Sequence, residues 1–305
     1  MKTKIMKVLI TGATGLVGQE LVKQFHAADI MVHYLSTSRD KLENLELYKG
    51  FYWNPSTAEI DEKAFEGVTH LINLAGASVA KSWTPSHKRA IINSRINSLD
   101  LLHKTLSKLD HQVEHFTSAS AIGIYKSDFT VLHDEFSEEL GDDFLAQVVK
   151  QWEEKAEAIE GLGIDVALVR IGIVLSKSGG ALEKIKSPVQ NFIGAPLASG
   201  LQWQSWIHLK DVAAIFKHVA QQHLVGTYNA VAPNPTTNKK MTQQIAECLS
   251  KPLFLPNVPA FVLKLALGER ATLVLSSQRV SAERIISTGF EFDFSKLEPA
   301  LKDVL

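Results

Sequence analysis

The stretch Lys7-Val8-Leu9-Ile10-Thr11-Gly12-Ala13-Thr14-Gly15-Leu16-Val17-Gly18 decides the fold of this chain. An apolar run passes directly into Gly-x-x-Gly-x-x-Gly, and Gln19-Glu-Leu-Val-Lys-Gln-Phe25 continues with the period of an amphipathic helix. Strand, tight turn and helix in that order form the unit that holds a dinucleotide pyrophosphate. Gly12 permits the turn, Gly15 lets backbone approach the pyrophosphate, and Gly18 lets the helix lie close to the sheet. The helix N-terminus then offers free N–H groups and a partial positive charge to the phosphates. Thr14, Leu16 and Val17 share this turn and join the three glycines as candidate contacts. The alternative is a plain βα turn that binds nothing.

Outward from this unit, strand-like and helix-like stretches alternate. Met31–Ser36, Phe51–Asn54, Thr69–Ala75, His115–Ser120 and Asp165–Ile171 read as strands. Residues 15–27, 85–108 and 143–160 read as helices. The strands separated by helices predict an α/β, Rossmann-type, doubly wound parallel sheet. Most of the strands are apolar throughout, as strands covered on both faces should be. After about residue 176 the rhythm changes: Ser176–Gly180 and Gly194–Gly200 are turn-rich. Gly226–Ala232 looks like a further strand, and Thr242–Leu249 and Pro259–Leu267 look helical.

Bulk composition narrows the function. The chain has 305 residues, with 32 basic against 33 acidic side chains. A net charge of -1 leaves no footprint for nucleic acid. The single cysteine, Cys248, excludes a disulfide framework and a thiolate metal cluster, and its helical context reads as core. No metal-ligating spacing stands out, so no metal is expected. The start, Met1-Lys-Thr-Lys-Ile-Met-Lys7, lacks the apolar region of a signal peptide, and no run is long enough to span a membrane. A cytoplasmic protein is expected.

Candidate ligand contacts cluster where strands end. The second strand closes on Ser38-Arg39, with no acid before Asp40. An acid there binds the ribose 2′-OH of NAD, whereas arginine and hydroxyl suit the 2′-phosphate of NADP. NADP is therefore favoured, with NAD possible; a solvated arginine at a strand end is the alternative. Asn73-Leu74-Ala75-Gly76 offers small residues to the adenosine side. Ser118, Ser120 and Tyr125, in Thr117-Ser118-Ala-Ser120-Ala-Ile-Gly-Ile-Tyr125, stand where a nicotinamide or a carbonyl would meet the sheet, although hydroxyls there also cap turns. Arg170 ends an apolar strand and needs either a carboxylate or a ligand phosphate. His208 reads as an acid–base residue or as a structural one, beside an Asp211 that caps its own helix. Trp203 and Trp206 could stack on a ligand or pack the C-terminal part.

These motifs resemble those of an extended short-chain dehydrogenase/reductase. Leu168-Val-Arg170-Ile-Gly172-Ile-Val174, Gly194-Ala-Pro196-Leu-Ala-Ser-Gly200, Ser205-Trp206-Ile-His208-Leu-Lys-Asp211, Gly226-Thr-Tyr-Asn-Ala-Val-Ala-Pro233 and Ser277-Gln-Arg279-Val follow in order. Together they resemble the YfcH-like epimerase family, with its C-terminal domain of unknown function. The resemblance implies a nucleotide-binding Rossmann domain over residues 1–175, its sheet completed by parts of 205–235. It implies a smaller substrate-side lobe over 176–305, with 253–301 as the family-specific segment. It also implies that Arg95, on the long helix after the fourth strand, touches the cofactor, as do Arg170 and Val174.

The family's chemistry cannot be carried over whole. Established members use Tyr-x-x-x-Lys, in which the lysine lowers the tyrosine pKa for proton exchange. The residues four places after Tyr34, Tyr48, Tyr52, Tyr125 and Tyr228 are Ser38, Tyr52, Ser56, Phe129 and Ala232. The pair is absent, and Leu145 and Val149 stand at its expected positions. The expectation is an NADP(H)-binding atypical reductase or nucleotide-sugar epimerase, with Ser120 and Tyr125 as candidate catalytic groups. The alternative is a catalytically inactive cofactor-binding regulator or interaction protein. Residues 85–108 and 143–160 could pair with a second copy or face their own sheet.

Overall fold

The computed structural model describes residues 6–305, so most of the basic start read above lies outside the described residues. The central sheet contains β1 (Lys7–Thr11), β2 (Met31–Ser36), β3 (Asn44–Leu45), β4 (Tyr48–Asn54), β5 (His70–Asn73), β6 (His115–Ala121), β7 (Asp165–Ile171) and β8 (Gly226–Ala230), with Glu59–Ile60 paired to β4. Across the sheet the order is β8-β7-β6-β5-β1-β2-β4-β3. β1 runs parallel to β2 and β5, β2 to β4, and β5 to β6; only the short β3 is antiparallel to its neighbour among these pairs. The fold is thus the Rossmann-type α/β sheet the sequence predicts. Its strand order reverses between β1 and β5, the switch point where open α/β sheets bind ligands.

The helices form where sequence signals them. α1 (Leu16–His26) buries Gly18, Leu21, Val22 and Phe25. α2 (Pro85–Leu106) starts with proline in its first turn and with Thr84 accepting the His87 N–H, which satisfies a donor the helix leaves open. Its apolar positions Ile91, Leu99, Leu102 and Leu106 are buried within the chain itself. α3 (Phe144–Glu157) follows β6. No helix among the described residues is long and apolar enough to cross a membrane.

The chain divides into two compact units. The first takes in residues up to Ser120, Gln147–Arg170 and Ala213–Tyr228; the second takes in Ala121–Ala146, Ile171–Val212 and Asn229–Leu305. In the second unit, α4 (Ala181–Gln190) begins directly after Gly179-Gly180, and a parallel pair joins Ile173–Leu175 to Trp206–His208. α5 (Leu209–Gln221), most of which belongs to the first unit, is followed by α6 (Asn238–Cys248) and α7 (Ala260–Leu267), and Leu297–Val304 ends the chain as a helix. Leu182, Val189, Trp206, Met241, Ile245, Leu297 and Leu301 form this unit's core.

Two local expectations, at Cys248 and Asp211, change here, and two open alternatives close. Cys248 is only half-buried, at the rim of that core. Trp206 is fully buried and donates to the Asn234 carbonyl (3.0 Å), while Trp203 carries the Arg279 guanidinium 4.7 Å above its ring. Both indoles are packing residues. Asp211 does not cap its own helix: its carboxylate accepts the N–H groups of Asp293 (2.9 Å) and Phe294 (3.1 Å), about eighty residues onward. His208 is likewise structural. Its Nδ1 accepts the Lys210 N–H, its Nε2 lies 3.2 Å from Asp303, and its ring stacks on Phe294 at 3.9 Å.

Candidate nucleotide-binding site

The glycine turn is built by close approach. Gly12 adopts φ +74°, and a side chain there would stand 2.9 Å from the Leu74 backbone, so the turn after β1 touches the turn after β5. At Gly18 a Cβ would meet the Gly12 carbonyl oxygen at 2.2 Å and Ala13 backbone at 2.7 Å; only glycine allows α1 to pack this closely. α1 starts at Gly15 with no side-chain cap and no acid in its first turn, which leaves its leading N–H groups, including those of Leu16 and Val17, open to an anion.

These turns border a cleft of about 460 Å³ in the first unit, within the usual range for a small-molecule site. Gly12 and Thr14 line it from β1, Ser36, Thr37, Ser38 and Lys41 from the end of β2, and Ala75 and Gly76 from β5. Asn93, Ser94 and Asn97 line it from α2. Among the described residues Lys41 is its one charged lining side chain, and no carboxylate lines it. The β2 turn is fixed by Tyr34, whose hydroxyl donates to the Lys41 carbonyl (2.6 Å) and accepts the Glu43 N–H (2.7 Å). Arg39 rests 3.7 Å over the Tyr52 ring and pairs with Glu59 at 3.4 Å, both partners of that pair being exposed. Asp40 is exposed and outside the lining.

Buried hydrogen bonds tie the central strand ends together. Thr11 Oγ1 donates to Asn73 Oδ1 (2.6 Å), Asn73 Nδ2 donates to Ser118 Oγ (3.2 Å), and Ser118 passes its proton to the Ala119 carbonyl (3.1 Å). Thr11 Oγ1 also accepts the Ala75 N–H. Ser118 is therefore a strut of the sheet end. Ser120 donates to Glu153, and Arg170 grips the same carboxylate through Nε and Nη2, both at 2.8 Å. The buried Arg170 has found the protein carboxylate, the first of the two partners its position demands.

Arg95 is different. It donates to the carbonyls of Ala77 and Ile91 and lies over the Trp152 ring at 4.7 Å, and among the described residues no carboxylate pairs with it. Burial alone pushes its pKa down to about 10. Gly76 makes room for it, because a Cβ there would come within 3.0 Å of the guanidinium carbon. A half-buried cation without an anion is a receptive partner for a phosphate or carboxylate.

In the second unit Tyr125 is buried, with its ring stacked on His133 and its hydroxyl donated to Asn229 Oδ1 at 2.8 Å. Val174 pairs with Ile207 and is half-buried. The structure thus gathers Gly12, Thr14, Ser38, Ala75 and Gly76 around one cleft and sets Arg95 beside Gly76. Arg170 and Ser120 meet on Glu153. Lys41 and the α2 residues were missed. The signal for the latter is the Asn93/Asn97 spacing, one turn apart on one face of α2.

An uncapped helix, a glycine turn at the sheet's switch point and a small-residue cleft define a Rossmann nucleotide-binding protein. The chain belongs to the NAD dependent epimerase/dehydratase family, whose model matches residues 8–231; a domain of unknown function, DUF1731, matches residues 258–304. An epimerase family protein of Staphylococcus aureus (strain MRSA252) is 36% identical over 298 residues, covering 97% of this chain and 98% of its own. A chloroplastic SDR39U1 homolog of Arabidopsis thaliana is 38% identical, covering 100% of this chain and 88% of its own. The crystal structure of the human epimerase family protein SDR39U1 with NADPH superposes with a TM-score of 0.85 at 27% identity, covering 98% of this chain and 99% of that one.

Proposed function

We propose that this chain binds NADP(H) in the cleft beside Gly12 and acts as an atypical reductase or epimerase on a nucleotide-linked or small carbonyl compound. The observation that carries the reading is the cleft wall at the end of β2, where Ser38 and Lys41 stand and no carboxylate does. A ribose 2′-phosphate needs donors and a cation there; a free 2′-hydroxyl needs an acid. The Arg39–Glu59 pair is exposed and worth little, so a dianionic phosphate can draw Arg39 to itself. The similar human protein carries NADPH in its crystal structure, which supports the same choice.

The remaining contacts follow. Gly12, Thr14 and Gly15, with the N–H groups of Leu16 and Val17, take the pyrophosphate, and Leu74, Ala75 and Gly76 take the adenosine side. Arg95 supplies positive charge to the ligand's anionic part. Bound there, the nicotinamide supplies hydride donation and acceptance. Ser120 is the group we assign to the substrate oxygen, which requires its hydroxyl to turn from the Glu153 carboxylate that accepts it in the structure. Arg170 is a positioning residue that fixes Glu153. Tyr125, whose hydroxyl is donated to Asn229, is the second candidate acid–base group.

Two observations favour a second reading, a cofactor-binding regulator without turnover: Tyr-x-x-x-Lys is absent and the Tyr125 hydroxyl is committed to Asn229. Purified protein with NADPH, given a panel of carbonyls and nucleotide sugars, separates the two. Cofactor oxidation or sugar isomerisation, lost in Ser120→Ala, supports the enzyme. Tight NADPH binding with no turnover across the panel supports the regulator.

A further inference from the structure

The amino end of the sheet carries chemistry that the cleft at its carboxyl end does not use. His70 opens β5, His115 opens β6 directly after Glu114, and His223 lies in the turn after α5. The three imidazole rings gather with centroids 4.7 to 5.7 Å apart. His70 Nε2 and His223 Nε2 face each other at 3.2 Å, and the ligand atoms of His70, His223 and Glu114 all lie within 4.8 Å of one another. Two Zn–N bonds of about 2.0–2.1 Å at a tetrahedral angle hold their nitrogens about 3.3 Å apart. The observed separation is that bite.

The surroundings suit a cation. Thr69 Oγ1 donates to the Lys7 carbonyl and lies 2.8 Å from His70 Nδ1. In the tautomer with the proton on Nδ1, Thr69 Oγ1 accepts it and the lone pair of His70 falls on Nε2, toward His223. His115 is not a ligand, since its Nε2 donates to the Leu224 carbonyl at 2.9 Å. Its ring walls the site, and its bond fixes the turn that carries His223. That turn closes α5 with Leu224 N–H on the Val219 carbonyl, and His223 occupies φ 48° where glycine is favoured. The chain accepts this backbone conformation and in return aims an imidazole at His70. The C-terminal end of α5 also carries partial negative charge, which favours a cation.

We propose that His70, His223 and Glu114 form a divalent-cation site of the zinc type. It clamps the turn after α5 to the amino ends of β5 and β6, at the opposite end of the strands from the nucleotide cleft. Two imidazoles and a carboxylate are a donor set for Zn²⁺ or a neighbouring late first-row ion, with a fourth position left to water. The competing arrangement is a bare His70–His223 hydrogen bond.

Chelator-treated, tag-free protein is dialysed against zinc chloride, and bound metal is quantified. The site predicts saturable uptake of one equivalent and a zinc-dependent rise in Tm. His223→Gly keeps the left-handed turn and removes a ligand, so the variant folds but loses the tight equivalent and the Tm rise. Glu114→Gln weakens uptake on the order of ten-fold or more. No saturable uptake by the wild-type chain, or uptake unchanged in His223→Gly, overturns the proposal.

Discussion

Each of the two units is held together internally, and by different means. In the first, parallel strands pair in register, and buried side chains at their ends satisfy one another directly: Thr11 with Asn73, Asn73 with Ser118, Glu153 with Ser120 and Arg170. In the second, residues 206–211 reach far along the chain. Trp206 bonds Asn234, Asp211 takes the backbone of Asp293 and Phe294, and Asp303 meets both His208 and Lys210. In the first unit these buried groups pair with one another and leave the glycine turn and the helix N-terminus uncapped. The second spends its charges on securing the C-terminal segment.

The largest test of this contrast is Arg170→Met. Removing the cation strands the Glu153 carboxylate in a buried position, with an expected loss of about 3–5 kcal/mol in chemical denaturation. Lys126→Ala, which breaks an exposed pair with Glu139 in the second unit, should cost about 0–1 kcal/mol. A small loss for Arg170→Met would show that the first unit does not depend on that buried triad.

Leu301→Ala probes the other mode of closure. Leu301 is fully buried in the C-terminal helix, and its truncation should cost about 3 kcal/mol, read as a shift in denaturation midpoint. A loss below about 1 kcal/mol would mean that this helix contributes little to the core it appends.

Asp211 gives the second unit a pH signature. Burial raises its carboxyl pKa to about 6, against the two N–H bonds that favour the charge. A raised carboxyl pKa means that the folded chain binds more protons than the unfolded one between about pH 4 and 6. The Asp211 contribution to stability accordingly falls as pH rises through that window, on the order of 3 kcal/mol, and is fully restored below pH 4. Comparing Asp211→Asn with the wild type by thermal denaturation from pH 4 to 7 should show a stability difference that moves with pH. A difference that stays flat contradicts the burial argument.

The smallest expected effect lies in the cleft. Lys41→Ala should weaken NADPH binding about ten-fold, or about 1.4 kcal/mol, and leave NADH binding unchanged. Equal losses for both cofactors would place Lys41 at the pyrophosphate rather than at the ribose 2′ position.

The same contrast explains what could be read in advance. Periodicity and glycine spacing are local, and they located β1, α1 and the turn at Gly12 directly. The demand of Arg170 for a partner was also legible, since a charge on an apolar strand must be met. Lys41 was not: a single turn after β2, pinned by the Tyr34 hydroxyl, brings it back to the cleft two residues beyond Arg39. Asp211 was misread because its hydrogen bonds go to residues about eighty positions away, and no local pattern encodes so long a reach. His70 and His223 lie still farther apart, and only the register of β5 and the turn after α5 bring their rings together.

We propose that the end of β2 is built for a 2′-phosphate. Isothermal titration of the wild-type chain with NADPH and with NADH tests it most directly. NADPH is expected to bind at least about ten-fold more tightly, a difference of about 1.4 kcal/mol. Equal affinities, or tighter binding of NADH, would contradict it.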